Sequence, residues 1–196
     1  MSLQWIPSIE VEGVNGTREV SLVTHLLMDR KIFLTGEINS DTASTFIAQL
    51  LFLEEESDKP ITIYINSPGG EVNAGLLIYD ALQGTSLEVN MVCTGMAASM
   101  AAVILCGGQE GRRHIVPHSK VMIHEPLLSN GVGGSATSIK HISESILETR
   151  DVISSILSKH TGKSMEEIME AIAFDNYMDA EKAIAFGICD KAVTRI

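Results

Sequence analysis

The stretch Leu87 to Gly108 most restricts what this chain can fold into. An apolar, β-rich run, Leu87 to Cys93, passes through small residues into a helical run, Met100 to Leu105, with almost no linker between them. A strand that feeds a helix so directly forms one βα unit, and the side chain at the junction stands at the tip of that unit. Gly95 can take a sharp turn, Ala97 and Ala98 allow close backbone packing, and Gly107 and Gly108 stop the helix. The junction residue is Ser99. At a helix N-terminus, free N–H groups and the helix dipole favour the negative charge that develops when a carbonyl is attacked, so this is a place to present a nucleophile. The same position also suits a serine that does nothing but cap the helix.

The rest of the chain repeats the alternation of short apolar runs with helical patterns, which makes the class α/β. Lys31 to Leu34 reads as a short strand, and Asp41 to Glu55 as a helix capped by Asp41 or Ser40. Ile61 to Ile65 reads as a strand running into the loop Ser67-Pro68-Gly69-Gly70, followed by a helix from Val72 to Leu82. His114 to Val116 and Lys120 to His124 read as two further strands. Leu127 to Gly134 is glycine-rich and lacks a period, whereas Ser135 to His160 reads as one long helix. Its apolar stripe, Ile139, Ile142, Ile146, Ile153 and Leu157, asks for a partner, so assembly through this projecting helix is expected. Helices at Ser164 to Ala173 and Ala180 to Phe186 precede a terminal strand around Ile188 to Val193. No repeat or linker divides the chain, so residues 1–196 are read as one domain.

Charge and cysteine usage narrow the function classes. The 14 basic and 25 acidic residues leave a net charge of −11, with no basic cluster, which disfavours nucleic acid and anionic membranes as partners. The three cysteines, Cys93, Cys106 and Cys189, lie in or beside apolar stretches without metal-ligand spacing, and read as buried thiols of a reducing compartment. No metal or other cofactor is expected. No run reaches the ~18 apolar residues of a membrane span, Met1 to Trp5 does not read as a signal peptide, and Met1 to Leu3 reads as an expression remnant. A cytoplasmic location is the expectation.

A nucleophilic serine needs a base, an acid that orients the base, and donors for an oxyanion. His124 follows the apolar strand Val121-Met122-Ile123 and precedes Glu125-Pro126, where an imidazole at a strand end can face a cleft or simply solvent. Asp175, between Phe174 and Asn176 in a turn between two helices, is a candidate acid; on spacing alone Asp179, Glu181 and Glu125 compete with it, and it also suits a helix cap. In Ser67-Pro68-Gly69-Gly70 the proline fixes the turn, and the glycines leave backbone N–H groups open to a substrate, as an oxyanion hole or a peptide-binding edge requires.

Taken together, Tyr64 to Gly70, Gly95 to Ala101, Val121 to Pro126, Asp175 to Met178, Glu181-Lys182-Ala183 and Phe186-Gly187 closely resemble the ClpP family, the proteolytic subunits of the Clp protease. The likeness runs in order from about Leu26 to Val193. It implies a ClpP/crotonase-like fold of stacked βαβ units, with residues 1–19 as an axial segment, 126–160 as a projecting handle and the remainder as a head. It implies Ser99 as nucleophile, His124 as general base and Asp175 as the residue that orients it. Gly69 and Met100 would be the oxyanion donors, with Gly70 and Pro126 at the substrate. The implied partners are further copies of the chain in heptameric rings, joined into a tetradecamer by the handle, an AAA+ unfoldase, and unfolded polypeptides.

Some positions depart from the family pattern. Phe174 stands where an arginine commonly precedes the catalytic aspartate, Glu125 where a glutamine follows the histidine, and Thr62 with Tyr64 where two tyrosines are frequent. A ring paralogue that is catalytically weak or inactive without a partner ring is the alternative expectation. A crotonase-type acyl-CoA enzyme and a Ser-Lys peptidase fit less well, because the chain offers Ser, His and Asp and no lysine in a motif beside the site.

Overall fold

The computed structural model describes residues 7–13, 16–128, 131 and 133–196. The expectations for Met1 to Leu3 and for the start of the axial segment fall on residues outside these, as do parts of the glycine-rich stretch. In chain order the elements are β1 (Ser8–Gly13), β2 (Gly16–Ser21), α1 (Leu22–Met28), β3 (Lys31–Ile38), α2 (Ser40–Glu56), β4 (Ile61–Gly70), α3 (Val72–Gly84) and β5 (Val89–Ala98). There follow α4 (Met100–Cys106), β6 (Arg113–Ile115), β7 (Lys120–Ile123), α5 (Ala136–Thr161), α6 (Met165–Ile172), β8 (Asn176–Met178), α7 (Ala180–Phe186) and β9 (Lys191–Ala192).

β1 and β2 pair as an antiparallel hairpin of their own, where only an axial segment was expected. The remaining seven strands form one sheet, with β3, β4, β5, β6 and β9 side by side and all parallel. β5 is long enough to serve two neighbours on one edge: Met91–Cys93 pairs with β6, and Met96–Ala98 pairs with β7. β8 then adds to β7 in the antiparallel sense. Along β4, Ile61, Ile63 and Ile65 are buried while Thr62 and Tyr64 are only half-buried, so the helices cover one face. On the other face Tyr64 stacks on Phe33 with ring centroids 5.1 Å apart. The covered side holds the core, where Ile32, Leu34, Phe46, Ile78, Met91, Ile104 and Ile115 meet.

Several boundaries differ from the sequence expectation for local reasons. β3 runs to Ile38 rather than Leu34, because it continues past an irregularity between Thr35 and Glu37. Helix α2 is capped by Asn39, whose side chain accepts the Thr42 N–H at 2.9 Å, and not by Ser40 or Asp41. Ser67 to Gly70 is not a loop; β4 and its pairing continue through it. Helix α5 agrees closely with the reading, starting on a Ser135 cap and ending at Gly162 in the left-handed conformation (φ 74°). Its 26 residues span about 39 Å. The apolar stripe divides: Ile153 and Leu157 are buried against the head, whereas Ile139 is 44% exposed.

One buried ion pair ties the far end of this architecture together. Arg113, only 6% exposed, bonds the Asp190 carboxylate through Nε, Nη2 and its backbone N–H. Its Nη1 donates to the carbonyls of Cys106, His160 and Gly187, at the ends of α4, α5 and α7. Burial alone would raise the Asp190 carboxyl pKa, but the bonds from Arg113 outweigh it and hold the carboxyl below its usual range. The three thiols are buried and stay protonated, Cys93 pushed up to about 11 and Cys106 to about 12 by desolvation, with Cys189 also raised.

Candidate active site

Three strand ends place the three candidate side chains. Ser99 is the residue after β5, His124 the residue after β7, and Asp175 the residue before β8. β5 pairs with β7 through Ala98 and Met122, and the ladder closes with the Ser99 N–H on the Met122 carbonyl at 2.8 Å. β7 pairs with β8 through Ile123 and Asn176, so the next step of that antiparallel register sets His124 opposite Asp175. The connection expected between the two helices therefore contains a three-residue strand just after Asp175, and the pairing of that strand with β7 delivers the residue. Asn176 Nδ2 donates to the Ala171 carbonyl at 3.1 Å, and the Glu125 N–H to the Ile172 carbonyl at 2.8 Å, fastening both strand ends to α6.

The distances form a relay. Ser99 Oγ lies 2.9 Å from His124 Nε2, and His124 Nδ1 lies 3.3 Å from Asp175 Oδ1. A neutral imidazole carrying its proton on Nδ1, toward the carboxylate, leaves Nε2 to accept the Ser99 O–H. The His124 side chain is 16% exposed and that of Asp175 61%, so the carboxylate end of the relay remains open to water. Asp179, which competed as the acid, instead caps α7 by accepting the Lys182 N–H at 2.9 Å.

Ser99 is not acting as a cap. It occupies the N-cap position of α4, but its side chain bonds no helical N–H. Its backbone sits at φ 54°, ψ −126°, a conformation costing about 1–3 kcal/mol for a residue with a Cβ. The β5–β7 ladder on one side and the bonds from the Ala102 and Val103 N–H groups to the Ser99 carbonyl on the other hold it there. The bend anticipated at Gly95 is a different feature. Gly95 (φ 111°) lies in a bulge where the single residue Asn66 of β4 faces Thr94, Gly95 and Met96 of β5, and its N–H is held by the buried Ser119 hydroxyl, which donates onward to the Cys93 carbonyl at 3.1 Å.

Gly69 approaches Ser99 so closely that a Cβ on it would stand 2.7 Å from the Ser99 Cβ and 3.0 Å from the Met100 nitrogen. Its own N–H, however, donates to Ser67 Oγ at 3.1 Å. Gly70 pairs with Ile38, and the Glu71 N–H reaches the Ile38 carbonyl at 2.8 Å. This pairing turns the Gly69 carbonyl toward β3. Across a trans peptide the Gly70 N–H then points the opposite way, toward β5 and Ser99. The Met100 N–H, at the first position of α4, has no place in the helical ladder. Two backbone donors thus flank the hydroxyl. Pro126, two residues beyond His124, is half-buried.

A proton acceptor on a serine hydroxyl, a carboxylate behind it and flanking N–H groups constitute an acyl-transfer arrangement. The model of the family described as Clp protease matches residues 14–195. The chain belongs to the Clp protease family. It is a Clp protease proteolytic subunit, a serine peptidase with the α/β fold of that family, which the parallel sheet and its helices match. Among the described residues no helix is long and apolar enough to cross a membrane.

Proposed function

We propose that this subunit hydrolyses peptide bonds of unfolded chains with Ser99 as nucleophile, His124 as general base and Asp175 as the residue that holds the imidazole. The observation that carries the reading is the Ser99–His124 contact at 2.9 Å on a strained serine that caps nothing. Ser99 Oγ attacks the scissile carbonyl while His124 takes its proton. The oxyanion is met by the N–H groups of Met100 and Gly70, and His124 returns the proton to the leaving amine. Water, activated by the same imidazole, releases the acyl group. Gly70 and Pro126 border the substrate, which lies extended along the sheet rim. Replacing Asp175 by Asn should lower kcat by about 10⁴-fold, because the imidazole then loses the partner that fixes its tautomer. Steady-state hydrolysis of a small peptide ester measures this, and retention of full activity would move the acid elsewhere.

Rings of this chain, heptameric and stacked in pairs, delivering an internal chamber fed by an AAA+ unfoldase, complete the proposal. Exposed Ile139 and Leu147 on α5, with Leu51 and Phe52 on α2 and Leu77 on α3, support burial between copies. Asp175, itself open to water, adjoins Phe174, which is 86% exposed, so a contact covering this corner would tighten the carboxylate onto His124. Measuring particle mass and peptidase activity on the same fractions tests the assembly: activity should follow a double-ring mass. Activity in a monomer fraction would remove assembly from the mechanism, and an inactive double ring would favour a subunit that depends on a partner ring.

A further inference from the structure

We infer that Ser67 is a positioning residue for the oxyanion donor, acting through the Gly69 backbone; this rests on the functional reading above. Ser67 is 1% exposed, and among the described residues its hydroxyl makes no hydrogen bond to Ser99, His124 or Asp175. Its hydroxyl accepts the Gly69 N–H at 3.1 Å within a segment that cannot hold its shape by ladder bonds alone. Pro68 has no N–H, and β4 carries an extra residue between the pairs Thr35–Asn66 and Glu37–Gly69. On its other edge the pairing of β4 with β5 ends at Ser67 opposite Ala97. Gly69 (φ 90°) and Gly70 (φ 154°) follow in conformations that glycine leaves easily.

The Ser67 hydroxyl supplies the missing restraint. With the Gly69 N–H held on one side and the Gly69 carbonyl turned toward β3 on the other, both peptide planes flanking Gly69 are fixed. The second of those planes carries the Gly70 N–H. Without the hydroxyl, the buried Gly69 N–H loses its partner and the Pro68–Gly69 plane can turn, which leaves the pairing with Ile38 alone to hold the plane that carries the Gly70 N–H and aims that donor less firmly at the oxyanion. Such a donor matters more to the transition state than to the bound substrate, so the loss falls on kcat and not on KM.

The experiment compares Ser67→Ala and Ser67→Thr with the unaltered protein in the assembled particle, measuring kcat and KM on a peptide ester, thermal unfolding, particle mass and labelling of Ser99 by a fluorophosphonate. Ser67→Ala should lower kcat about 10- to 100-fold, a part of the 10²–10³-fold carried by one oxyanion donor, with KM within about twofold and mass unchanged. Ser67→Thr, which keeps the hydroxyl, should recover most of the rate; should Thr fail to assemble, the Ala result decides alone. An unchanged kcat in Ser67→Ala overturns the inference, and so does a raised one, which would mean that Ser67 masks Gly69 as the true donor. A kcat that falls only together with mass and thermal stability also overturns it, since the hydroxyl would then be structural. Failure of the unaltered protein to label at Ser99 would instead sink the functional reading itself, and this inference with it.

Discussion

Ser99→Ala and Ser99→Gly should both abolish peptide hydrolysis, lowering kcat by about 10⁶-fold, yet differ from each other in stability. On the mechanism proposed above the loss is large because the Ser99 oxygen is the attacking atom and the one whose proton His124 takes, so without it only residual stabilisation of the substrate by the surrounding N–H donors remains. The difference comes from the backbone. At φ 54°, ψ −126° alanine keeps the strain of serine, whereas glycine adopts the conformation freely. The Ser99 side chain caps no helical N–H, so glycine forfeits nothing on that account. Ser99→Gly should therefore be more stable than Ser99→Ala by about 1 kcal/mol, read from thermal unfolding at one protein concentration. Equal stabilities would show that the junction relaxes when the hydroxyl is gone; appreciable hydrolysis in either variant would place the nucleophile elsewhere.

Asp190→Ala should be the most damaging substitution outside the active site, costing about 3 kcal/mol or more of folding stability. It leaves the Arg113 guanidinium buried without its counter-charge, and breaking such a pair from one side costs about 3–5 kcal/mol. Replacing both partners with apolar residues should cost much less, because no charge is then stranded. A single variant no less stable than the double would rule this account out. The pair also sets an acid limit. Asp190 is held below its unfolded pKa of about 3.9, so its contribution is complete above that value and is lost as pH falls through the folded one. His160, 3.0 Å from the Tyr79 hydroxyl, acts in the same direction at higher pH. Burial first, then Lys159 and Arg113, lower its pKa, so its share is present above about 6.5 and declines as pH drops below that toward its folded value. Stability should fall in two stages on acidification, and Asp190→Ala should diminish the lower one, to which Glu167, lowered by its bond from the Ser164 N–H, still contributes.

Elements with a strong period were legible in the sequence. The long helix, the βα unit around Ser99 and the strand before His124 declared themselves through spacing and small residues, and the motifs brought the family within reach. Asp175 was harder. Nothing in Asn176-Tyr177-Met178 distinguishes a three-residue strand from a turn, because its pairing with β7 is a long-range property. The continuation of β4 through Pro68 and two glycines was hidden for a related reason: these residues usually end strands, and here the ladder carries them past an irregularity. It is this continuation that sets Gly69 and Gly70 apart, the first with its N–H on Ser67 Oγ and the second paired with Ile38. Arg113 and Asp190 gave no local signal at all, since an arginine beside an apolar triplet and an aspartate after a cysteine look like surface residues until the sheet brings them together.

The three residues of the relay each sit one position beyond a strand end, and this makes the active site a reading of strand register. Sliding β8 by a single residue along β7 would carry Asp175 away by about 3.3 Å and turn its side chain to the opposite face. A chain still emerging, or one paired wrongly, therefore holds a serine and a histidine but no assembled relay. The arrangement of Ser99, His124 and Asp175 is thus a product of long-range strand pairing, complete only when β5, β7 and β8, far apart in sequence, lie in this register.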